Sequence, residues 1–199
     1  MVYTMKIAIH QPNFFPWYPF FQKMMRCDIF VILSNCQFEK NNYQNRFKMQ
    51  GRYRQWNTLS VANKIENIKD KLYLNPMNDF ELIKNNLPDY KEILEQFQHI
   101  INSDNSQLLL FVNYSIIKKI KALLKIDTEI GYDFLTSKTA TERLVELCKF
   151  YKCDTYLSGI GAVKYINMEV FKYHGITVEF QDINEIIRKP ILEVLKCIE

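Results

Sequence analysis

Two short apolar runs, Ile7 to Ile9 and Ile29 to Leu33, frame an amphipathic segment and constrain the fold more than any other feature of the chain. Consecutive β-branched and aliphatic residues fit strands buried on both faces. Between them, Trp17 to Arg26 carries Phe20, Phe21, Met24 and Met25 at helical spacing. Strand, helix and strand in so short a span predict a parallel pair joined by a right-handed crossover. Open sheets of this kind hold ligands outside the carboxyl ends of their strands. The two sequence breaks at those ends are His10-Gln11-Pro12-Asn13 and Ser34-Asn35-Cys36-Gln37. Both are expected to feed one concave site.

The rest of the chain extends this pattern. Asn45 to Met49 and Gln55 to Val61 flank a Gln50-Gly51 turn and predict a β-hairpin with Arg and Lys pointing outward. Asp89 is expected to cap a helix carrying Tyr90, Ile93, Leu94, Phe97, Ile100 and Ile101. Ser106 is expected to cap a longer one through Leu109, Val112, Ile116, Ile120, Leu123 and Leu124. Alternation then resumes: a Thr139-x-x-Glu142 capping box before a helix, a strand from Asp154 to Leu157, a small-residue turn from Ser158 to Ala162, a helix from Tyr165 to Tyr173 closed by Gly175, and a last strand from Ile176 to Phe180. The expectation is a Rossmann-like α/β domain over residues 1–199, mostly parallel, with a β-hairpin and a helical pair inserted at about 76–126.

Bulk properties narrow the classes. With 199 residues, 48% hydrophobic and 14% aromatic, the chain can bury a real core and does not resemble a disordered segment. The net charge of +4 is unevenly placed: Lys40, Arg46, Lys48, Arg52 and Arg54 stand against Glu39 alone in one stretch. Such a patch suits an anionic small molecule, a phosphate group, nucleic acid or an acidic surface. A pI near 8.7 without an accompanying nucleic-acid motif argues against nucleic acid as the partner. Five cysteines without CxxC or metal spacing, and without a signal peptide, fit reduced thiols in a cytoplasmic protein. No apolar run is long enough to span a bilayer.

Several residues have the right chemistry for a site. His10 ends a strand, where an imidazole of near-neutral pKa suits a general base. Gln11 and Asn13 add amide groups, and Pro12 and Pro16 stiffen the turn. Trp17 belongs to an aromatic cluster whose usual role is packing, although its indole N–H also needs a partner. Gln37, Lys40, Asn45 and Arg46 follow the second strand, and an arginine there can grip phosphate in a bidentate manner. Ser158 and Gly159 open a turn whose backbone N–H groups can face an anion, and Ser158 would act as a nucleophile only with a base beside it.

These residues resemble the WbqC family of bacterial proteins. Its pattern H-Q-P-x-Y-x-P-W-x-G-F-F is matched by His10-Gln11-Pro12, Pro16-Trp17 and Phe20-Phe21. Its later aspartate, V-Q-F and N-R are matched by Asp28, Gln37-Phe38 and Asn45-Arg46, and its Arg-Leu and Tyr-Leu-Ser-Gly-x-Gly-Ala-x-x-Tyr by Arg143-Leu144 and Tyr156 to Tyr165. Three places depart from the pattern. Pro19 replaces a glycine, Asn63 to Leu72 has no tryptophan or histidine where the family has Trp-Lys…His, and the C-terminal aromatic-proline…glutamine stretch is missing. Trp17 to Phe20 stand where nucleotidylyl transferases carry HxGH, which argues against adenylyl transfer by that motif.

The resemblance implies work in O-antigen, capsule or related surface-polysaccharide biosynthesis. The reaction it suggests is transfer of an acyl or aminoacyl group to the amino group of a nucleotide-linked sugar. In that scheme His10 takes the amine proton and Gln11 or Gln37 polarises the acyl carbonyl. Arg46 and Lys40 hold the diphosphate, with Asn13, Trp17, Asn45, Ser158 and Gly159 completing the ligand contacts. No metal or flavin motif is seen, and an activated acyl donor would be the co-substrate. The alternative is a non-catalytic sugar-nucleotide-binding or scaffolding protein of the same pathway.

Overall fold

A computed structural model describes residues 4–53, 55–182 and 184–198; Arg54 of the basic hairpin lies outside them. In chain order the elements are β1 (Lys6–His10), α1 (Tyr18–Met24), β2 (Ile29–Ile32), β3 (Arg46–Lys48), β4 (Trp56–Thr58), α2 (Pro76–Asn86), α3 (Lys91–Glu95), α4 (Gln98–Ile101), α5 (Leu109–Leu123), β5 (Glu129–Tyr132), α6 (Ala140–Phe150), β6 (Thr155–Ser158), α7 (Met168–Tyr173), β7 (Thr177–Phe180) and α8 (Ile191–Leu195). Among the described residues, no helix is long and apolar enough to cross a membrane.

The residues group into two compact units. The first holds the chain up to His10, Pro19–Leu33 and Ile126–Ile187. Its five strands are all parallel, in the order β5-β2-β1-β6-β7. Counted along this sheet alone that is 3-2-1-4-5, the Rossmann-like doubly wound order, with the switch point between β1 and β6. Side-chain alternation divides the two faces. Ile7, Ile9, Ile29, Val31 and Tyr156 pack with Val145, Leu147 and Cys148 of α6 and Phe171 of α7. On the other face Phe20 of α1 meets Phe30 at 4.8 Å and the His10 ring at 4.9 Å.

The second unit holds Gln11–Tyr18, Ser34–Lys125 and the chain from Arg188 onward. It contains the antiparallel hairpin β3-β4, paired Arg46↔Thr58, Phe47↔Asn57 and Lys48↔Trp56, and the helices α2 to α5 and α8. Its core is aromatic: Phe15 lies 5.2 Å from Phe47 and 5.0 Å from Phe97, and Phe14 lies 5.6 Å from Phe47. Phe15 adopts φ 43°, a costly left-handed backbone for a bulky residue, and is held there by complete enclosure.

Several local expectations need correction. No single helix starts at Asp89: Pro88–Tyr90 is a 3-10 turn, followed by α3 and α4 as separate short helices. Asp89 does not cap, because its carboxylate is taken by Arg52. Ser106 does not cap α5 either; that helix begins after Leu108 in extended backbone. The predicted apolar face of α5 is nonetheless the buried one, save Leu123, which is exposed. Thr139 does precede α6, but its side chain makes no capping bond, and Glu142 pairs with Lys138 instead. The helix expected from Tyr165 starts only at Met168, as α7, and is closed by Gly175 at φ 67°, while the turn expected over Ser158 to Ala162 runs into a 3-10 stretch, Ile160–Lys164. Strand β5 had no counterpart in the sequence reading, and neither did helix α2 as a separate element, although α2 falls inside the helical insertion expected at about 76–126. The first is a four-residue edge strand with one buried position, too short for a period to register.

Candidate functional site

In the sheet unit, His10 and Ser158 close adjacent strands at the switch point, yet their side chains point apart. His10 shares the α1 face with Ala8, whereas Ser158 follows Tyr156 on the α6–α7 face. A Ser158–His10 nucleophilic couple is therefore not formed. The His10 imidazole is half-buried edge-on to Phe20, and its carbonyl accepts from the Leu33 N–H at 2.8 Å. The Ser158 hydroxyl is buried with Tyr156, whose phenol burial pushes up to about 12. Gly159 leads into the 3-10 stretch, and its carbonyl accepts from Ala162 N–H at 3.0 Å.

The same unit buries a lysine and three cysteines. Lys23 is only 4% exposed, and desolvation pulls its ammonium down to about 8. It donates to the Ile9 carbonyl at 3.5 Å. Burial pushes the thiols of Cys27 and Cys148 up to about 12 and that of Cys153 to about 11, which disfavours their thiolate forms.

The second unit gathers most of the other singled-out residues, in three arrangements. The first is a buried polar knot. The Gln11 side chain donates to Cys36 Sγ at 3.4 Å and accepts from Gln44 at 2.7 Å, while Gln44 Oε1 accepts from the Glu39 N–H at 2.9 Å. Asn113, fully buried, donates to the carbonyls of Pro12 and Gln44 at 2.8 and 2.6 Å and accepts from the Tyr73 hydroxyl at 2.8 Å. Asn13 is half-buried next to this anchored Pro12. Asn45 is buried and ties the hairpin to the Leu59 carbonyl at 2.8 Å. The Trp17 indole N–H donates to the Lys48 carbonyl at 3.0 Å. Gln11, Trp17 and Asn45 thus shape the loops rather than present free polar groups.

The second arrangement is a cleft of about 600 Å³. Gln37, Phe38, Glu39 and Lys40 form one wall, Val61 to Ile65 the other, and Lys71 closes it. Lys71 is 1% exposed. Its Nζ lies 4.9 Å from the Phe38 ring, donates to the Lys64 carbonyl at 2.5 Å and approaches Glu66 at 3.8 Å. Lys64 pairs with the other Glu66 oxygen at 2.7 Å, a bond that lowers the Glu66 carboxyl and raises the Lys64 ammonium. The volume lies within the range of small-molecule sites. Three lysines and two amides, Gln37 and Asn63, can grip a phosphate or carboxylate and orient it.

The third arrangement lies on the hairpin. The Arg46 guanidinium stacks 3.9 Å from the centre of the Trp56 ring, with Lys48 Nζ at 5.6 Å and the Tyr43 ring at 5.4 Å. Arg46 also donates to the Asn41 carbonyl.

Gln37 and Lys40 are the anticipated residues that line the cleft, and Arg46 stands on the hairpin. The sequence reading missed Lys64, Lys71, Gln44, Asn113 and Trp56. Lys64 and Lys71 sit in a stretch without periodicity or motif, and only the isolated bridges Gln37↔Asn67 and Val61↔Tyr73 bring that stretch beside the Gln37 loop.

A model of the WbqC-like protein family matches residues 11–188. An uncharacterized protein of Mycobacterium tuberculosis, Rv1507c, is 26% identical over 189 residues, covering 89% of this chain and 82% of its own length. Among solved structures, a Zn(II)-bound AdcAII mutant variant of Streptococcus pneumoniae aligns over 98% of this chain and 95% of its own. That alignment has 12% identity and a TM-score of 0.24, too low to argue from.

Proposed function

Because the chain belongs to the WbqC-like protein family, we propose that it acts in the cytoplasm in surface-polysaccharide (O-antigen or capsule) biosynthesis on a nucleotide-linked amino sugar. The reaction is transfer of an acyl or aminoacyl group from an activated donor to the sugar's amino group. The observation that carries the reading is the lysine-lined cleft. Lys40, Lys64 and Lys71 supply positive charge where a diphosphate would sit, and Gln37 and Asn63 supply amides for its oxygens or the sugar hydroxyls. Glu66 holds two of the ammonium groups in position beforehand, which lowers the ordering cost of binding. The segment from Asn63 to Leu72, which departs from the family pattern, supplies Asn63, Lys64, Ile65 and Lys71 to this wall. Sugar selectivity is therefore expected to differ from that of relatives carrying Trp-Lys…His there.

His10 is the proposed proton acceptor for the amine, at the carboxyl end of β1. General-base assistance contributes roughly 10²- to 10⁴-fold, and His10→Ala should lower turnover by that order while the protein stays folded. Full turnover in this variant removes the imidazole from the reaction.

The polar residues that line the cleft are lysines, amides and one glutamate rather than histidine, which favours a second reading: a non-catalytic sugar-nucleotide-binding or scaffolding protein of the same pathway. Thermal and urea stability in the presence of UDP- and dTDP-linked amino sugars tests both readings. Ligand at about 100 times Kd should add about 2.7 kcal/mol, and Lys71→Met should weaken that gain. Stabilisation with no amide product from any activated donor supports the binding role. No stabilisation by any nucleotide sugar refutes both.

A further inference from the structure

The aromatic and cationic groups on the hairpin are not used by the diphosphate cleft. Trp56 is 38% exposed and Tyr43 41%, and the two rings meet nearly edge to face at 62°. Neither side chain is needed to close the core of its unit, where Phe14, Phe15 and Phe47 already pack. Two cations nevertheless stand over the indole: Arg46 at 3.9 Å and Lys48 at 5.6 Å. The planar guanidinium is held there by Asn41, to whose carbonyl it donates. Asn41 follows Lys40 of the cleft wall, and adjacent Cα atoms are about 3.8 Å apart. One loop therefore carries the edge of the cleft and the anchor of the shelf.

We infer that this shelf, formed by Tyr43, Arg46 and Trp56, binds the heterocyclic base of a nucleoside diphosphate whose phosphates enter the lysine cleft. The inference rests on the cleft being the phosphate site. Bases stack on aromatic rings and on arginine planes alike, with little demand on base identity. A layered Trp56–Arg46 pair offers such a plane, and Tyr43 offers a second ring beside it. Lys48 adds positive charge near the ribose and α-phosphate. Sugar rings stack on tryptophan too, but two cations over the ring match a ligand that carries negative charge.

Calorimetric titration of the intact protein with inorganic pyrophosphate, UDP and a short oligothymidylate separates the possibilities. UDP should bind more tightly than pyrophosphate. Trp56→Leu should weaken UDP by roughly five- to 150-fold, the range for loss of one base–aromatic stack, and leave pyrophosphate unchanged. Trp56→Phe should restore part of the loss. In a Trp17→Phe background, where Trp56 is the sole tryptophan, UDP should quench the emission and pyrophosphate should not. Equal affinity for UDP and pyrophosphate overturns the base subsite while sparing the cleft. Binding of neither overturns the cleft reading and this one together. Tight oligothymidylate binding that falls steeply with salt, alongside weak UDP binding, assigns the shelf to single-stranded nucleic acid and also refutes the inference.

Discussion

Lys23→Met should stabilise this protein at neutral pH and lose that advantage in alkali. The wild-type ammonium sits between α1 and the sheet, 4% exposed, with the Ile9 carbonyl at 3.5 Å and the Phe30 ring at 5.8 Å as its compensation. Burial lowers it from 10.5 to about 8. A displacement of that size corresponds to roughly 3 kcal/mol against the folded state at pH 7. Loss of one long hydrogen bond in the variant costs about 1 kcal/mol, and methionine fits the volume of the lysine stem. A net gain of about 2 kcal/mol follows. The sign with pH is determined by proton counts. Between about pH 8 and 10.5 the unfolded chain holds the Lys23 proton more often than the folded chain does, so wild-type stability from this group rises through that window. By pH 10 the penalty has shrunk to roughly 1 kcal/mol, and the variant's advantage is nearly gone. Urea unfolding of both proteins at pH 7, 8, 9 and 10, read by circular dichroism, measures the difference directly and cancels the titration of shared tyrosines. A variant less stable at pH 7, or a difference that stays flat with pH, refutes the reasoning.

Three other changes probe the two units. Asn113→Ala removes the group that satisfies Pro12, Gln44 and Tyr73, all in a sealed environment; it should cost about 2–5 kcal/mol in denaturant titration, and a cost below about 1 kcal/mol would dismiss the network as a structural support. Gly131→Ala drives a Cβ to 2.6 Å from the Tyr151 hydroxyl, which clasps the Tyr132 N–H and carbonyl at 2.8 Å each; a loss of about 1–3 kcal/mol is expected, and adding Tyr151→Leu should make the double variant less damaged than the sum of the singles. Arg143→Leu removes the guanidinium that meets the fully enclosed carboxylate of Asp133 at 2.5 Å; a cost of about 3–5 kcal/mol is expected, and thermal melting unchanged from wild type would show that the pair is not supporting the fold.

The sheet could be read from the chain because its signals are local. Ile7 to Ile9 and Ile29 to Val31 are consecutive apolar positions with no exposed face, and Gly175 ends a helix through its own left-handed backbone at φ 67°. The hairpin around Gly51 was legible for the same reason, although its strands are only three residues each. The helix caps were not, since Asp89 and Ser106 have the right chemistry for capping but Asp89 is taken by Arg52 and α5 begins three residues past Ser106. A carboxylate bonds to the best-placed donor, and that choice belongs to tertiary packing.

The site divides along the same line. From the sequence alone come the parallel strands, the breaks at their carboxyl ends, and the kinds of polar residue that gather there. Only the folded chain turns the Ser158 and His10 side chains to opposite faces of the sheet, ties Gln11 and Asn45 into internal hydrogen bonds, and brings Lys64 and Lys71 to a cleft opposite Gln37 and Lys40. Strand and turn preferences act over a few neighbouring residues. A cleft is made by side chains tens of positions apart, whose proximity is set by the packing of all that lies between them.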